Sequence, residues 1–152
     1  MVNVWEKTTM RWVVCAILLA FTLLAGTAAP VRAADETPEH LDGVTVVSAD
    51  ELRPMLNQGV KVYDLRKKAS YADGHIPGAM SAAEHYNAAK DTLDTRFLGP
   101  NRSERIVFYS HGSTGWKSYH AARNAVEAGY NNVMWMRGGY QDWQAGDNPV
   151  AR

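Results

Sequence analysis

The stretch VYDLRKKASYADGHIPGAM, residues 62–80, decides the fold class of this chain. Val62 and Leu65 give its first part the apolar character of a buried strand, which begins within VKVYDLR. Asp64 and Arg66 end that strand, and GHIPGAM then predicts a turn-rich loop that leads to a short extended piece. The simplest role for Asp64 is to cap the next turn and pair with Arg66. A second role stays open for Arg66, which is to help fix an anion.

Strand and helix patterns alternate on either side of this stretch. Further strands are predicted at VTVVS (44–48), RIVFYS (105–110) and NVMWMR (132–137). Helices are predicted at ADELRPMLNQG (49–59), EHYNAAKDTLDTRFL (84–98), WKSYHAARNAVEAGY (116–130) and GGYQDWQAG (138–146). A capping box of Ser48 and Glu51 opens the first of these helices. Such alternation predicts an α/β fold with a central, mostly parallel sheet flanked by helices on both faces, and ligands then bind at the carboxyl ends of the strands.

The first 33 residues have the pattern of a secretory signal peptide. Lys7 and Arg11 precede a short apolar run, and small residues follow up to a predicted cut before Ala34. The apolar run is shorter than the roughly 20 residues of a spanning helix, so an uncleaved membrane anchor is the less favoured alternative. Cleavage would remove Cys15, the only cysteine of the chain, and would leave a periplasmic or secreted protein with no membrane contact and no disulfide.

The remaining residues divide into a polar, acidic segment at 34–43, interpreted as a flexible lead-in, and one domain at 44–152. Lys plus Arg and Asp plus Glu are both 16, so the overall charge gives no reason to expect a nucleic-acid partner. The five histidines form no H-x-x-x-H pair and no cluster with cysteine. The sequence therefore predicts neither a metal nor a cofactor.

A second loop, SHGSTGWKS (110–118), joins the strand RIVFYS to a helix. Gly112 and Gly115 allow a sharp turn, and the N–H groups at the helix start carry a partial positive charge that Lys117 reinforces. The loop therefore predicts a cradle for sulfate, thiosulfate or phosphate, or for an acidic group of a protein partner; the alternative is an ordinary Gly/Ser turn with a capped helix. The predicted site comprises Ser110, His111, Gly112, Ser113, Thr114, Gly115, Trp116 and Lys117, supported by Asp64 and Arg66.

Ser110 and His111 also raise the question of serine-based nucleophilic catalysis. A serine nucleophile needs an adjacent general base that is oriented by a third group. Neighbours on a turn usually point apart, and the chain has no G-x-S-x-G elbow around Ser110. A serine hydrolase is therefore not favoured.

Taken together, these segments resemble the rhodanese homology domain. VYDLRKKASYADGHIPGAM is similar to the first signature of that family, and MRGGYQDWQAGDNPV (136–150) is similar to its closing signature. The strand, loop and helix between them follow in the family's order, and the resemblance covers 44–151. It implies a rhodanese-like α/β fold and sulfurtransferase chemistry, in which a cysteine thiolate at the loop start takes up a sulfane sulfur as a persulfide.

The resemblance places Ser110 at the position of the family's cysteine, with Lys117 and Ser118 as the best match for an arginine and serine that follow it. The loop between Ser110 and Lys117 also looks longer than in the usual sulfurtransferases. GWKSYHAARNAVEAGYNNVMWMRGGYQDW is similar, further, to rhodanese-like proteins associated with PQQ-dependent catabolism. The two cysteines of their C-x-x-C-W motif would fall at Gly112 and Gly115, and both are absent here.

A serine oxygen cannot form a persulfide, which is a sulfur–sulfur bond. The leading hypothesis is therefore a secreted rhodanese-like domain that lacks the catalytic cysteine and acts as a non-catalytic, anion-binding or partner-binding accessory module. The enzymatic alternative is a thiosulfate-type sulfurtransferase that works by persulfide transfer, which requires cysteine as the native residue at position 110. A further alternative is a purely structural interaction domain whose loop binds no anion.

Overall fold

A computed structural model describes residues 35–152, and the predicted signal peptide lies outside the described residues. The strands of this part are β1 (Val44–Val46), β2 (Lys61–Asp64), β3 (Met80–Ser81), β4 (Tyr86–Asn87), β5 (Thr92–Leu93), β6 (Ile106–Tyr109) and β7 (Val133–Met136). Five of the strands in residues 35–152 form one sheet in the order β1-β7-β6-β2-β3, with each adjacent pair parallel. The predicted parallel sheet is confirmed.

The helices of residues 35–152 are α1 (Ala49–Met55), α2 (Lys68–Asp73), α3 (Trp116–Glu127) and α4 (Gly139–Ala145). Single turns of 3₁₀-helix follow α1 at Leu56–Gln58 and flank the β4–β5 pair at Ala83–His85 and Thr95–Leu98. The predicted capping box is present at the start of α1: Ser48 Oγ accepts from the N–H of Glu51, and Glu51 Oε2 accepts from the N–H of Ser48. Helix α2 was not anticipated from the sequence.

Helices cover both faces of the sheet, as the alternation of strands and helices predicts. Helix α3 buries Ala121, Ala122 and Ala125 in the cluster that also contains Phe108 and Trp135. On the other face, α1 and α4 pack against the sheet through side chains that include Leu52 and Trp143, together with Val62, Val107 and Met134. Successive strand residues point to opposite faces, so β2 divides Val62 and Tyr63 between the two clusters.

Strands β6 and β7 are buried along their whole length. Their sequences IVFY and VMWM are continuous apolar runs, which is the composition expected for central parallel strands covered on both sides. They lie side by side in the middle of the sheet, and β6 carries the predicted loop at its carboxyl end. The core of the domain therefore fixes the position of the site.

The predicted helix at 84–98 is wrong. This segment forms the antiparallel pair β4–β5, in which Tyr86 lies opposite Leu93 and both side chains are buried. The side-chain oxygen of Asn87 accepts from the N–H groups of Ala89 and Lys90, and this local turn competes with helical hydrogen bonding. The spacing of Tyr86 and Leu93 is compatible with a helix, but the antiparallel pair β4–β5 brings these two side chains into the core.

Residues 35–43, which belong to the predicted flexible lead-in, contact the body of the domain. Thr37 is 2% exposed and Leu41 is 8% exposed, so two side chains of this polar segment are buried. Within residues 35–152, helices are too short or too polar to cross a membrane.

Candidate functional site

The predicted loop lies at the carboxyl end of β6, beside the end of β2. The two strands are parallel neighbours in register, with Asp64 opposite Tyr109. Leu65 donates its N–H to the carbonyl of Tyr109 at 2.9 Å, so the pairing extends to the start of the loop. Ser110 and Arg66 therefore leave the same edge of the sheet, where parallel α/β sheets bind their ligands.

Ser110 is held in the structure by its backbone. Its side chain and backbone together are 3% exposed, and its carbonyl accepts from the N–H of Tyr140 in α4 at 2.8 Å. Within residues 35–152, Ser110 Oγ takes part in no hydrogen bond, and no histidine lies against it as a general base. A Cβ placed on Gly115, the residue before α3, would lie 2.8 Å from Ser110 Cβ, so the Ser110 side chain sits directly against the start of that helix.

The amides at the start of α3 are bonded within the loop. Gly115 donates to the carbonyl of Gly112 at 2.8 Å, Trp116 donates to Thr114 at 3.1 Å, and Ser118 donates to Gly115 at 3.1 Å. Each of these N–H groups is a donor that a bound anion would otherwise use. The loop is therefore a turn that is partly satisfied by its own carbonyls, which leaves fewer amides for a ligand than the sequence alone suggests.

The glycine pair that opens α4 presses against the loop from the side. Gly139 has φ of +62°, and a Cβ at this position would lie 2.6 Å from the N of Gly112 and from the O of Ser110. Gln141 continues the contact, because its N–H donates to the carbonyl of His111 at 2.9 Å. The closing segment of the chain thus fixes the first half of the loop.

Arg66 and Asp64 form a buried ion pair below the site. Arg66 Nη2 lies 2.6 Å from Asp64 Oδ2 and donates to the carbonyl of Gly74 at 2.7 Å, while Asp64 Oδ1 accepts from the N–H of Arg66 at 2.8 Å. This is the capping and pairing role expected for Asp64. The guanidinium also stacks 3.8 Å from the ring centre of Tyr140, so Arg66 links β2, α2 and α4.

Tyr109 completes this buried network. Its hydroxyl donates to Asp64 Oδ2 at 2.5 Å and accepts from the N–H of Ile76 at 3.3 Å. Burial, and then the negative charge of Asp64, raise the pKa of Tyr109 far above its usual value, so the phenol stays neutral and remains a donor. Asp64 Oδ2 therefore accepts hydrogen bonds from both the Tyr109 hydroxyl and the Arg66 guanidinium.

A cavity of about 370 Å³ opens next to the loop. It is lined by Arg66, Ser70, Asp73, Gly74, His111, Tyr140, Gln141 and Gln144. Partial desolvation of its ring, and then the positive charge of Arg66, lower the pKa of His111 below its ordinary value, so the imidazole is mostly neutral at pH 7. The residues that line the cavity therefore carry one guanidinium, one neutral imidazole, two hydroxyls, two amides and one carboxylate, that of Asp73.

The predicted site residues separate into two groups. Arg66 and His111 line the cavity together, whereas the Ser110 side chain is buried beside Gly115, outside the cavity lining. The Lys117 ammonium lies 5.9 Å from the ring centre of Tyr86, on the side of the β4–β5 pair. Ser70, Tyr140, Gln141 and Gln144 were missed, because nothing in their local sequence marks them and only the tertiary fold brings α2 and α4 to the loop.

Residues 35–152 contain no cluster of three or more His, Cys, Asp or Glu side chains that could bind a metal ion together. Of these four residue types, the cavity lining contains one histidine, His111, and one aspartate, Asp73.

The described residues form an α/β domain with one parallel sheet and helices on both faces. Its candidate site is the loop that joins the central strand, β6, to α3. A sequence profile of the Rhodanese-like domain matches residues 48–146. The chain belongs to the rhodanese-like domain family.

Sequence relatives include the thiosulfate sulfurtransferase GlpE of Pseudoalteromonas translucida, which is 33% identical over 97 residues that cover 64% of this chain and 85% of that protein. The human thiosulfate:glutathione sulfurtransferase is 29% identical over 110 residues, covering 66% of this chain and 94% of that protein. Among solved structures, the Alr3790 protein of Anabaena sp. superposes with a TM-score of 0.56 at 26% identity, over 69% of this chain and 90% of that one. Both of these sequence relatives are sulfurtransferases.

Proposed function

We propose that this protein is a secreted rhodanese-like accessory module that binds a small anion or an acidic group of a partner and does not transfer sulfur. The observation that carries the proposal is Ser110 at the loop start, on a scaffold that otherwise has the family's strand, loop and helix. Persulfide chemistry needs a thiolate as the nucleophile that accepts sulfane sulfur. The only cysteine of the chain, Cys15, lies in the predicted signal peptide.

The environment of Ser110 also argues against a serine nucleophile. Activation of a serine hydroxyl needs a base within hydrogen-bond reach. His111, the neighbour in sequence, is exposed and lines the cavity, while Ser110 is buried. Backbone hydrogen bonds hold Ser110 and His111 to consecutive residues of α4 and keep the two side chains in different surroundings.

The cavity beside the loop supports the binding half of the proposal. Arg66 supplies a positive charge that is already partly balanced by Asp64, and Asp73 adds a carboxylate to the lining, so a ligand of modest charge fits better than a highly charged one. The amides of Gln141 and Gln144 and the hydroxyl of Ser70 can donate to oxygen atoms of an oxyanion or a carboxylate. Inorganic sulfate is the simplest probe of this chemistry.

Sulfur transfer from thiosulfate to cyanide is the decisive assay for the absence of activity. We expect no turnover above the uncatalysed rate for the purified protein, with GlpE from Pseudoalteromonas translucida as the active comparison. Mass spectrometry after incubation with thiosulfate should show no adduct of one sulfur atom. Turnover comparable to that of GlpE, or a stable one-sulfur adduct on residues 34–152, would establish the sulfurtransferase alternative instead.

Binding and export need separate measurements. Titration with sodium sulfate, followed by the NMR signals of His111 and Gln141, should show saturable shifts, and unchanged spectra at millimolar sulfate would favour a domain that binds no anion. N-terminal sequencing of protein recovered from a periplasmic or culture fraction should begin at Ala34. A chain that still begins at Met1 would contradict the proposed cleavage.

A further inference from the structure

The segment Asp35–Pro38 lies across the loop and is hydrogen-bonded to it at two points. Thr37 donates both its N–H, at 2.9 Å, and its Oγ1–H, at 2.7 Å, to the carbonyl of Ser113. The indole Nε1 of Trp116 donates to the carbonyl of Asp35 at 2.9 Å. Residues far apart in the chain are thereby joined across the middle of the loop and across the first residue of α3.

Arg137 holds this segment from the other side. Its Nη2 donates to the carbonyl of Thr37 at 2.8 Å and lies 3.0 Å from Glu36 Oε2, and its Nε donates to the carbonyl of Pro38 at 3.1 Å. Arg137 follows β7 and directly precedes the glycine pair at 138–139 that touches the loop. The segment is therefore fixed to the same turn that fixes the first half of the loop.

The burial of Thr37 shows that this contact is a packed one. Thr37 is 2% exposed, although the neighbouring residues Glu36 and Pro38 are exposed. A buried hydroxyl needs a partner, and the Ser113 carbonyl supplies it. The polar composition of the segment predicts a flexible lead-in, whereas the burial of Thr37 between two exposed residues shows that the segment packs against the domain.

The contact fixes the orientation of one peptide plane in the loop. In a trans peptide, the carbonyl of one residue and the N–H of the next point in opposite directions. Holding the Ser113 carbonyl towards Thr37 therefore turns the N–H of Thr114 to the other side of that plane. This N–H is one of the loop donors that is not bonded to another residue within 35–152.

We propose that Asp35–Pro38 is an N-terminal strap that positions the loop 110–117, with Thr37 and Arg137 as its positioning residues. The strap keeps the Ser113–Thr114 peptide and the Trp116 indole in one arrangement, whatever the loop binds. The strap orders the loop whether or not the loop binds the anion proposed above.

Amide hydrogen exchange on the purified protein tests the strap without any ligand. Thr37→Val removes the hydroxyl donor and keeps the shape, so we expect exchange at the N–H groups of Gly115 and Trp116 to rise about fivefold, the effect of one lost hydrogen bond. Thr37→Ser keeps the donor and should restore the slow exchange. The amides of β6 should stay as protected as in the wild type and thereby report an intact core.

Arg137→Met provides a second, independent perturbation, because it keeps much of the side-chain stem and removes the four hydrogen bonds from the guanidinium to the strap. We expect a larger rise in loop exchange than for Thr37→Val. Arg105→Met is the matched control: Arg105 donates to the carbonyl of Gln58 at 2.5 Å, at the opposite end of β6, and its loss should leave the loop unchanged. In the wild type, the Trp116 indole N–H should exchange slowly, which needs no variant at all.

Two results would overturn the strap. The first is loop exchange in Thr37→Val and Arg137→Met within twofold of the wild type while β6 stays protected. The second is fast exchange of the wild-type Trp116 indole N–H. If the loop loosens in both variants but sulfate never binds to the wild type, the strap stands and the binding function fails, so the two proposals are separable.

Discussion

Gly139→Ala is the most direct test of how α4 holds the loop. Gly139 has φ of +62°, a region in which an alanine costs roughly 1 kcal/mol or more. Its Cβ would also lie 2.6–2.7 Å from three backbone atoms of residues 110–112, none of which can rotate away. Overlap of this kind typically costs about 1–3 kcal/mol because the backbone must shift. We therefore expect a total loss of about 3 kcal/mol in the free energy of unfolding.

Gly59→Ala is the matched control for the conformational part of that loss. Gly59 has φ of +74°, and nothing lies within 4 Å of a Cβ built there. We expect this variant to lose only about 1 kcal/mol, so the difference between the two variants isolates the contact with the loop. For a domain of this size, about 4 °C of melting temperature corresponds to 1 kcal/mol, which gives losses of about 12 °C for Gly139→Ala and about 4 °C for Gly59→Ala.

Thermal unfolding followed by circular dichroism, with urea unfolding as a second measure, is the assay. The contact with the loop predicts that Gly139→Ala also changes the amide chemical shifts of Gly112 and His111, whereas Gly59→Ala does not. Equal losses of stability in the two variants would refute the argument that Gly139 is required by its close approach to the loop.

Three further predictions concern the site itself. Ser110→Cys should fold with nearly unchanged stability, and mass spectrometry should show that it acquires one sulfur atom from thiosulfate. Its turnover should be about 100-fold below that of GlpE, because amides that would stabilise the thiolate are bonded to loop carbonyls. Turnover equal to that of GlpE would contradict this account. Arg66→Met should cost about 3–5 kcal/mol in urea unfolding, because Asp64 is left buried without its cation, and the double variant with Asp64→Asn should recover at least half of that loss. Isothermal titration should show that sulfate binds more tightly at pH 5 than at pH 7. The pKa of His111 lies below its ordinary value of about 6.5, so the positive charge of its ring appears only as the pH falls through the shifted pKa. A His111→Gln variant should lose this pH dependence, and a pH dependence retained in that variant would exclude His111 as the cause.

The sheet could be predicted from the sequence because its strands have strong local signals. The runs IVFY and VMWM are apolar throughout, and each is bounded by polar or turn residues. The capping box at Ser48 and Glu51 is likewise local, since both of its hydrogen bonds join residues three apart. Parallel pairing then follows from the helices between the strands.

The segment 84–98 could not be predicted in the same way. Its apolar residues are few, and their spacing fits a helix as well as a hairpin. The outcome is decided by tertiary contacts: Asn124 of α3 accepts from the N–H of Leu93 at 2.8 Å, and Tyr86 is buried against the core. Neither partner is visible from the segment itself.

The position of the loop 110–118 in the fold could be predicted, whereas its contacts could not. Glycines and hydroxyl residues mark the loop in the sequence, and the end of a parallel strand gives its location. The ion pair of Asp64 and Arg66 was also within reach, because the two residues are close in sequence. The contacts of Thr37 and Tyr140 with the loop were not, because each joins it across a long stretch of chain.

Ser110 meets the rest of the domain through its backbone, and this has an evolutionary consequence. The carbonyl that binds Tyr140 is the same whatever side chain position 110 carries, and the hydroxyl has no hydrogen bond to any residue within 35–152. Folding therefore requires a small side chain at this position, which packs beside Gly115, and does not require a hydroxyl there. Because serine and cysteine are close in size, exchange between them at this position is compatible with the same scaffold, and the fold by itself does not select for the reactive atom.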